Sequence, residues 1–473
     1  MSEHVSEPSA QRTRKRQVIL GAYFPGVNHD TVWSDPASGS HIDFASYEHW
    51  ARTAERGTFD LLFLAEGLRL RTRGGQVFDQ DVVGRPDTFT VLASLAAVTE
   101  HIGLAGTINA TFNEPFELAR KFATLDILSG GRAAWNVVTS SDADTGENFR
   151  RGGFLQHSQR YERAGETLDA VRALWDSWGS DAVVADPASG RFLRDGQVGD
   201  FAFRGRQFDI AGRFSTPRSP QGHPVVLQAG ESPAGRDFAA SRSDAIFSRY
   251  QKFDEARAFY ADVKARVARF GRDPDQVKIL PSASVILGDT EAEARDRHRD
   301  VRSRQVDPFT AIVLAEMVWN RDLSQVDPDG PVPDLEPTPH APKWIRGRAP
   351  LTQDAHATAE AWRALGRKHG WSLREVVTHA FDRAVFVGTP AQVAAEIDRY
   401  VQEDAVDGFI LGSYVSPAGL DEVVGKVVPL LRDRGVLRDR YTGSTLRENL
   451  GLRPPAGLGE PHAAVRGAVR PAS

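Results

Sequence analysis

Short apolar runs recur along the 473-residue chain, and most are followed by a stretch with apolar residues at helical spacing. Residues 17–24, 59–65, 102–108, 133–138, 224–230, 244–248, 277–287 and 407–412 read as strands. Such runs suit strands buried on both faces. Between them the period changes to that of a helix. Leu118, Phe122, Leu125 and Leu128 make one apolar face, Pro115 sits just inside its start, and Gly130-Gly131 stops it. Asp43 and Thr389 are placed to cap helices over 44–57 and from Pro390 onward. Further helices are expected over 87–100, 156–178, 233–241, 253–270, 290–304, 358–369, 372–382 and 420–434. The heavily charged 290–304 helix reads as a solvated face.

Strand and helix in alternation predict an α/β fold, a (β/α)8 TIM barrel with insertions at the C-terminal face of the strands. Residues 17–440 would form the barrel, with excursions near 179–222 and 305–385. Residues 1–16 would be a disordered N-terminal tail and 441–473 a Gly/Pro-rich C-terminal tail.

Composition narrows the function. The 58 basic and 63 acidic residues give a net charge of -5 and no reason to expect nucleic acid or an anionic membrane as partner. With no cysteine, disulfides, thiolate metal sites and cysteine nucleophiles are excluded. The polar, basic start lacks a secretory core and no run is long enough to span a membrane, so a cytoplasmic protein is expected. The scattered histidines give no metal spacing. No carboxylate pair suggests glycoside hydrolysis, and no Gly-rich Rossmann turn is present.

In such a barrel every strand ends on the face that holds the active site. Glu66, Thr107, Asn109, Asn136, Thr139 and Ser140 follow or end strands there. Thr, Asn and Ser also cap turns everywhere, and Glu66 has Arg69, Arg71 and Arg73 as near neighbours in sequence. His157 and Tyr161 lie four apart on a predicted helix face. Gly230-Glu231-Ser232-Pro233 joins a strand to a helix, the geometry of a phosphate cradle and equally of an ordinary N-cap. Trp33, His41, Trp319, Asn320 and His340 are positional candidates for the substrate side.

The run from Asn113 through Pro115, Phe122, Asp126, Ser129-Gly-Gly-Arg132 and Trp135-Asn-Val-Val-Thr-Ser140 resembles the flavin-dependent monooxygenases of the bacterial luciferase-like superfamily. More narrowly, it resembles the branch with the nitrilotriacetate, EDTA and dibenzothiophene-sulfone monooxygenases. The resemblance implies a two-component enzyme. A separate NAD(P)H:flavin reductase would supply reduced FMN, O2 would form a flavin C4a-(hydro)peroxide, and one oxygen atom would pass to a small organic substrate. It implies that Ser232, the backbone of Gly230 and Glu231, Tyr161 and His157 hold the phosphate. Glu66, Thr107 and Asn136 would position the ring and ribityl groups. The family usually has Asp where Glu66 stands. A homodimer or homotetramer is implied as well. A deazaflavin- or NADPH/flavin-dependent dehydrogenase of the same superfamily is the alternative, followed by a non-flavin barrel hydrolase and a non-catalytic flavin-binding protein.

Overall fold

A computed structural model of the chain describes residues 15–79, 81–140, 143–149, 157–194, 198–347, 351–352, 354–382 and 386–455, with backbone alone at 143–144 and 157–158. Most of the predicted N-terminal tail lies outside these residues.

Eight parallel strands form the centre: β1 (Ile19–Tyr23), β2 (Leu61–Leu64), β3 (Gly103–Asn109), β4 (Ala133–Val138), β5 (Val225–Gln228), β6 (Ala245–Ser248), β7 (Lys278–Leu287) and β8 (Gly408–Gly412). Each pairs with its neighbours in chain order, and β8 pairs with β1, so the sheet closes into the expected barrel. Side chains alternate in and out. Leu61, Phe63, Ala105, Ala134, Leu227, Leu280 and Ile410 fill the interior. Leu20, Leu62, Leu64, Leu104 and Phe409 face out against helices. Thr107 and Asn136 lie two residues beyond Ala105 and Ala134, so alternation turns these polar groups into the upper interior.

The helices around it are α1 (Phe44–Arg56), α2 (Thr88–Ala96), α3 (Pro115–Leu128), α4 (His157–Trp175), α5 (Pro233–Arg242), α6 (Phe253–Arg269), α7 (Glu291–Gln305), α8 (Pro308–Trp319), α9 (Ala355–His369), α10 (Leu373–Ala380), α11 (Pro390–Gln402), α12 (Gly419–Lys426) and α13 (Val428–Asp433). Asp43 and Thr389 cap α1 and α11. Arg132 explains the Ser-Gly-Gly-Arg run: its buried guanidinium donates to the carbonyls of Ala96, Thr99, Ile102 and Ser129, tying the ends of α2 and α3 to β3. The helix expected over 420–434 is two helices, because Pro429 has no N–H to continue the ladder.

The 179–222 excursion holds two antiparallel hairpins, Val183–Asp186 with Arg191–Leu193 and Asp200–Arg204 with Asp209–Arg213. The later excursion packs α8, α9 and α10 around Trp319, Trp362 and Val376. It is fastened to the mouth by Arg73, which donates through Nε and Nη2 to the buried Glu316, both at 2.6 Å. Residues 441–455 do not hang free of the barrel. Leu446, Leu450 and Leu452 join its interior cluster from below, and Leu446 fills the space that a side chain at Gly103 would take.

Candidate active site at the barrel mouth

Among the described residues, a larger and a smaller cavity open at the C-terminal ends of the strands. The larger, about 380 Å³, has an aromatic floor of Tyr23, Phe63 and Phe247, the two phenyl rings stacked with centroids 5.0 Å apart. Thr107 and Asn136 form one wall, and Ser282 and Ser284 of β7 with Arg302 and Gln305 of α7 another. The smaller, about 250 Å³, is polar, lined by Asn28, His29, Glu66, Arg69, Arg71 and Arg85 among others. Tyr23, Asp30 and Ala65 border both.

Asn136 and Thr107 are register partners on β4 and β3. Asn136 Nδ2 donates to Thr107 Oγ1 at 3.0 Å. That leaves Asn136 Oδ1 buried with no donor within reach among the described residues. An unmet buried acceptor is costly, and here it belongs to a residue that lines the cavity, where a ligand N–H or O–H would satisfy it.

Glu66 follows β2 and is half-buried. Asn109 donates its main-chain N–H and its side-chain Nδ2 to Glu66 Oε2, both at 3.1 Å. Burial pushes the Glu66 carboxyl up to about 7, with the Asn109 hydrogen bonds opposing and nearby Asp87 adding to the rise. Glu66 does not pair with Arg69, Arg71 or Arg73, its neighbours in sequence. Arg69 pairs with Glu147, Arg71 with Asp81 and Arg73 with Glu316.

The third part is the turn from β5 to α5. Gly230 N–H donates to Gln228 Oε1 at 2.5 Å, and Ser232 Oγ accepts from Gly235 N–H at 3.1 Å as the cap of α5. Tyr161 of α4 lies against this turn, its hydroxyl 2.7 Å from where a Gly230 Cβ would stand. The structure thus brings Tyr161, Gly230 and Ser232 together. The Glu231 side chain turns away to Arg249, accepting from its main-chain N–H at 2.6 Å and from Nη2 at 3.0 Å. Its backbone alone stays with the turn. His157 opens α4, but its side chain lies outside the described residues.

The substrate-side candidates part company. His41 is a strap between mouth loops: Val27 N–H donates to its Nδ1 at 2.9 Å and its Nε2–H donates to Val83 O at 2.7 Å. Burial holds its pKa below the usual histidine range, so the ring stays neutral with both nitrogens engaged. Asn109 is committed to Glu66. Trp319 is fully buried in the α8 cluster and Asn320 binds the carbonyls of Thr338 and Ala341, away from both cavities. Trp33 and His340 are exposed. Sequence reasoning missed Ser282, Ser284, Arg302 and Gln305. The two serines were readable as polar alternation within an apolar strand. Arg302 and Gln305 were not, because in a helix this charged an inward face leaves no apolar stripe.

The sequence pattern of the luciferase-like monooxygenase family matches residues 27–407. The chain is 38% identical over 467 residues to the dibenzothiophene-sulfone monooxygenase of Rhodococcus erythropolis, covering 95% of this chain and 100% of that one. It is 36% identical over 456 residues to nitrilotriacetate monooxygenase component A of Aminobacter aminovorans, covering 93% and 97%. The crystal structure of riboflavin lyase with modified FMN and riboflavin superposes with a TM-score of 0.76 at 27% identity, covering 93% and 97%. A closed barrel carrying a polar mouth, matched along nearly its whole length by such relatives, places the chain in the luciferase-like monooxygenase family, as a flavin-dependent monooxygenase.

Proposed function

We propose that the chain is the oxygenating component of a two-component monooxygenase. It takes reduced FMN from a separate NAD(P)H:flavin reductase and places one atom of O2 in a small organic substrate, the other leaving as water. The observation that carries this reading is the coexistence, at one mouth, of the Gly230–Gly235 turn under Tyr161 and the unmet acceptor Asn136 Oδ1. FMN fits both needs: its phosphate seeks N–H groups at a helix start, and its ring edge offers an N–H donor. Gly230, the Glu231 backbone, Ser232, Tyr161 and His157 would hold the phosphate. Thr107, Asn136 and Glu66 would hold the ring and ribityl groups. Reduced FMN, when bound, supplies the two electrons that activate O2. The protein's share is orientation and exclusion of water. Component A of the nitrilotriacetate enzyme supports the two-component reading by its name.

The test uses the purified chain with photoreduced FMN and no reductase. O2 uptake and hydrogen peroxide are followed while candidate substrates are screened. A true substrate is expected to lower peroxide per O2 consumed and to gain one labelled oxygen from 18O2. Hydride transfer to a substrate without O2 uptake would replace this reading with the dehydrogenase.

The α7 side of the larger cavity would take the substrate's body, leaving the wall of Thr107 and Asn136 to FMN. Val301 of α7 is buried on the cavity wall. Val301→Trp fills that space. It is expected to raise the KM of an accepted substrate about tenfold, roughly 1.4 kcal/mol, with FMN affinity within about threefold. Unchanged KM would move the substrate elsewhere.

A further inference from the structure

The smaller cavity contains one carboxyl whose surroundings differ from those of its neighbours. Around Glu66 stand Tyr23 from β1, His29 and Asp30 from the first mouth loop, Arg69, Arg71, Asp81 and Arg85 from the second, and Asp87 at the start of α2. Among the described residues the arginines and His29 are engaged elsewhere. Arg69 binds Glu147, Arg71 binds Asp81, Arg85 donates to Pro25 O at 2.7 Å, and His29 pairs with Asp30 at 3.5 Å. Among the described residues no salt bridge reaches Glu66. Its Oε2 receives both donors of Asn109, a residue with no exposed surface. A carboxyl that accepts twice on one oxygen and carries a proton must carry it on the other. Once protonated, Glu66 would therefore donate from Oε1, on a residue that lines the cavity.

We propose that Glu66 enters the flavin complex as a carboxylic acid, its proton on Oε1 turned to the bound ligand, and is the group from which the site hands over a proton. This rests on the FMN reading above. The reason lies in what a ligand does to the site. Bound FMN displaces water from beside a carboxyl that has no cationic partner among the described residues, and its phosphate adds negative charge to the same mouth. Both effects disfavour the charged carboxylate. The free carboxyl already sits near neutrality, so binding above neutral pH draws in a proton. In the reaction, Glu66 gives that proton to the oxygen atom that departs as water and becomes a carboxylate. Solvent refills it through the cavity. The electrons come from reduced FMN, and none pass through Glu66.

The experiment is proton uptake on binding oxidised FMN, an air-stable probe. FMN is titrated into wild type and Glu66→Gln at pH 6 and 7.5, with calorimetry in buffers of different ionisation heat. Glutamine keeps an acceptor for Asn109 and a donor for the ligand but cannot titrate. The expected difference, wild type minus variant, is close to zero at pH 6 and about three-quarters of a proton at pH 7.5. With oxygen and substrate, the variant releases more peroxide per O2 than wild type. Equal uptake in the two proteins overturns the proposal while leaving the FMN reading intact. No FMN binding by wild type overturns both. Infrared difference spectra of wild type alone give an independent reading. FMN binding at pH 7.5 is expected to add a protonated-carboxyl band, and its absence counts against Glu66.

Discussion

Gly230→Val is expected to weaken FMN binding at least 100-fold, about 2.7 kcal/mol, in a protein that still folds. A side chain at Gly230 begins 2.6 Å from Gln228 Nε2, 2.7 Å from the Tyr161 hydroxyl and 3.0 Å from Gly235 Cα. The two glycines face each other, since a Cβ at Gly235 would meet the Gly230 carbonyl carbon at 2.8 Å. The close approach lets the turn fold under Tyr161, and no other residue leaves that room. Alanine meets chiefly the ends of two side chains, which shift, so Gly230→Ala is expected to cost about tenfold. Valine adds branches that strike the Gly235 backbone, which does not shift without opening the turn. Fluorescence titration of FMN, with circular dichroism to verify the fold, measures the effect. A folded Gly230→Val protein with wild-type affinity would show that the phosphate sits elsewhere.

The same physics explains what the sequence disclosed. Barrel strands buried on both faces are apolar on both faces, so 102–108 and 133–138 stood out without any partner in view. Asp43, Pro115 and Thr389 marked helix starts because capping is local chemistry. Thr107 and Asn136 were visible as polar residues ending apolar runs. Their hydrogen bond needed the register between β3 and β4, which no single segment carries. The unseen features are contacts between segments far apart in the chain. His41 looked available until Val27 and Val83 were found at its two nitrogens. The charge of α7 suited a solvated helix, yet Ala294, Val301, Arg302 and Gln305 are buried. Residues 441–455 have a loose segment's composition, and three leucines are too few to announce that they close a barrel.

That closing segment carries the largest expected loss of stability. Arg447→Ala is expected to lower the unfolding free energy by about 3–5 kcal/mol, the usual result of breaking a buried ion pair from one side. Arg447 Nη2 donates to Asp244 Oδ2 at 3.0 Å and to His223 O at 3.1 Å, and its main-chain N–H donates to Gln221 Oε1 at 2.8 Å. Both charged side chains are nearly inaccessible, at 8% and 12% exposure. Burial alone would raise the Asp244 pKa, but Arg447 and Arg172 outweigh it and hold the carboxyl below its usual range. Asp244 also receives Val226 N–H at 3.0 Å, so the charge sits at the root of β5 and β6. Removing Arg447 strands part of that charge and releases the segment whose leucines fill the barrel base. By contrast, Glu291 and Arg295 on α7 form an exposed pair. Arg295→Ala there is expected to change stability by no more than about 0.5 kcal/mol. The pH dependence has a definite sign. A carboxyl depressed in the folded state stabilises it fully above the unfolded pKa, and the gain is lost as pH falls through the folded value. Arg447→Ala shrinks the depression, so its acid unfolding midpoint should move to higher pH than that of wild type. Urea unfolding at pH 7 and an acid titration measure the two effects. An Arg447→Ala protein within about 0.5 kcal/mol of wild type, no worse than the exposed control, would mean that Arg172 and Arg272, whose Nη2 lies 4.0 Å from Asp244 Oδ1, neutralise Asp244 unaided and that the leucines alone hold the base of the barrel.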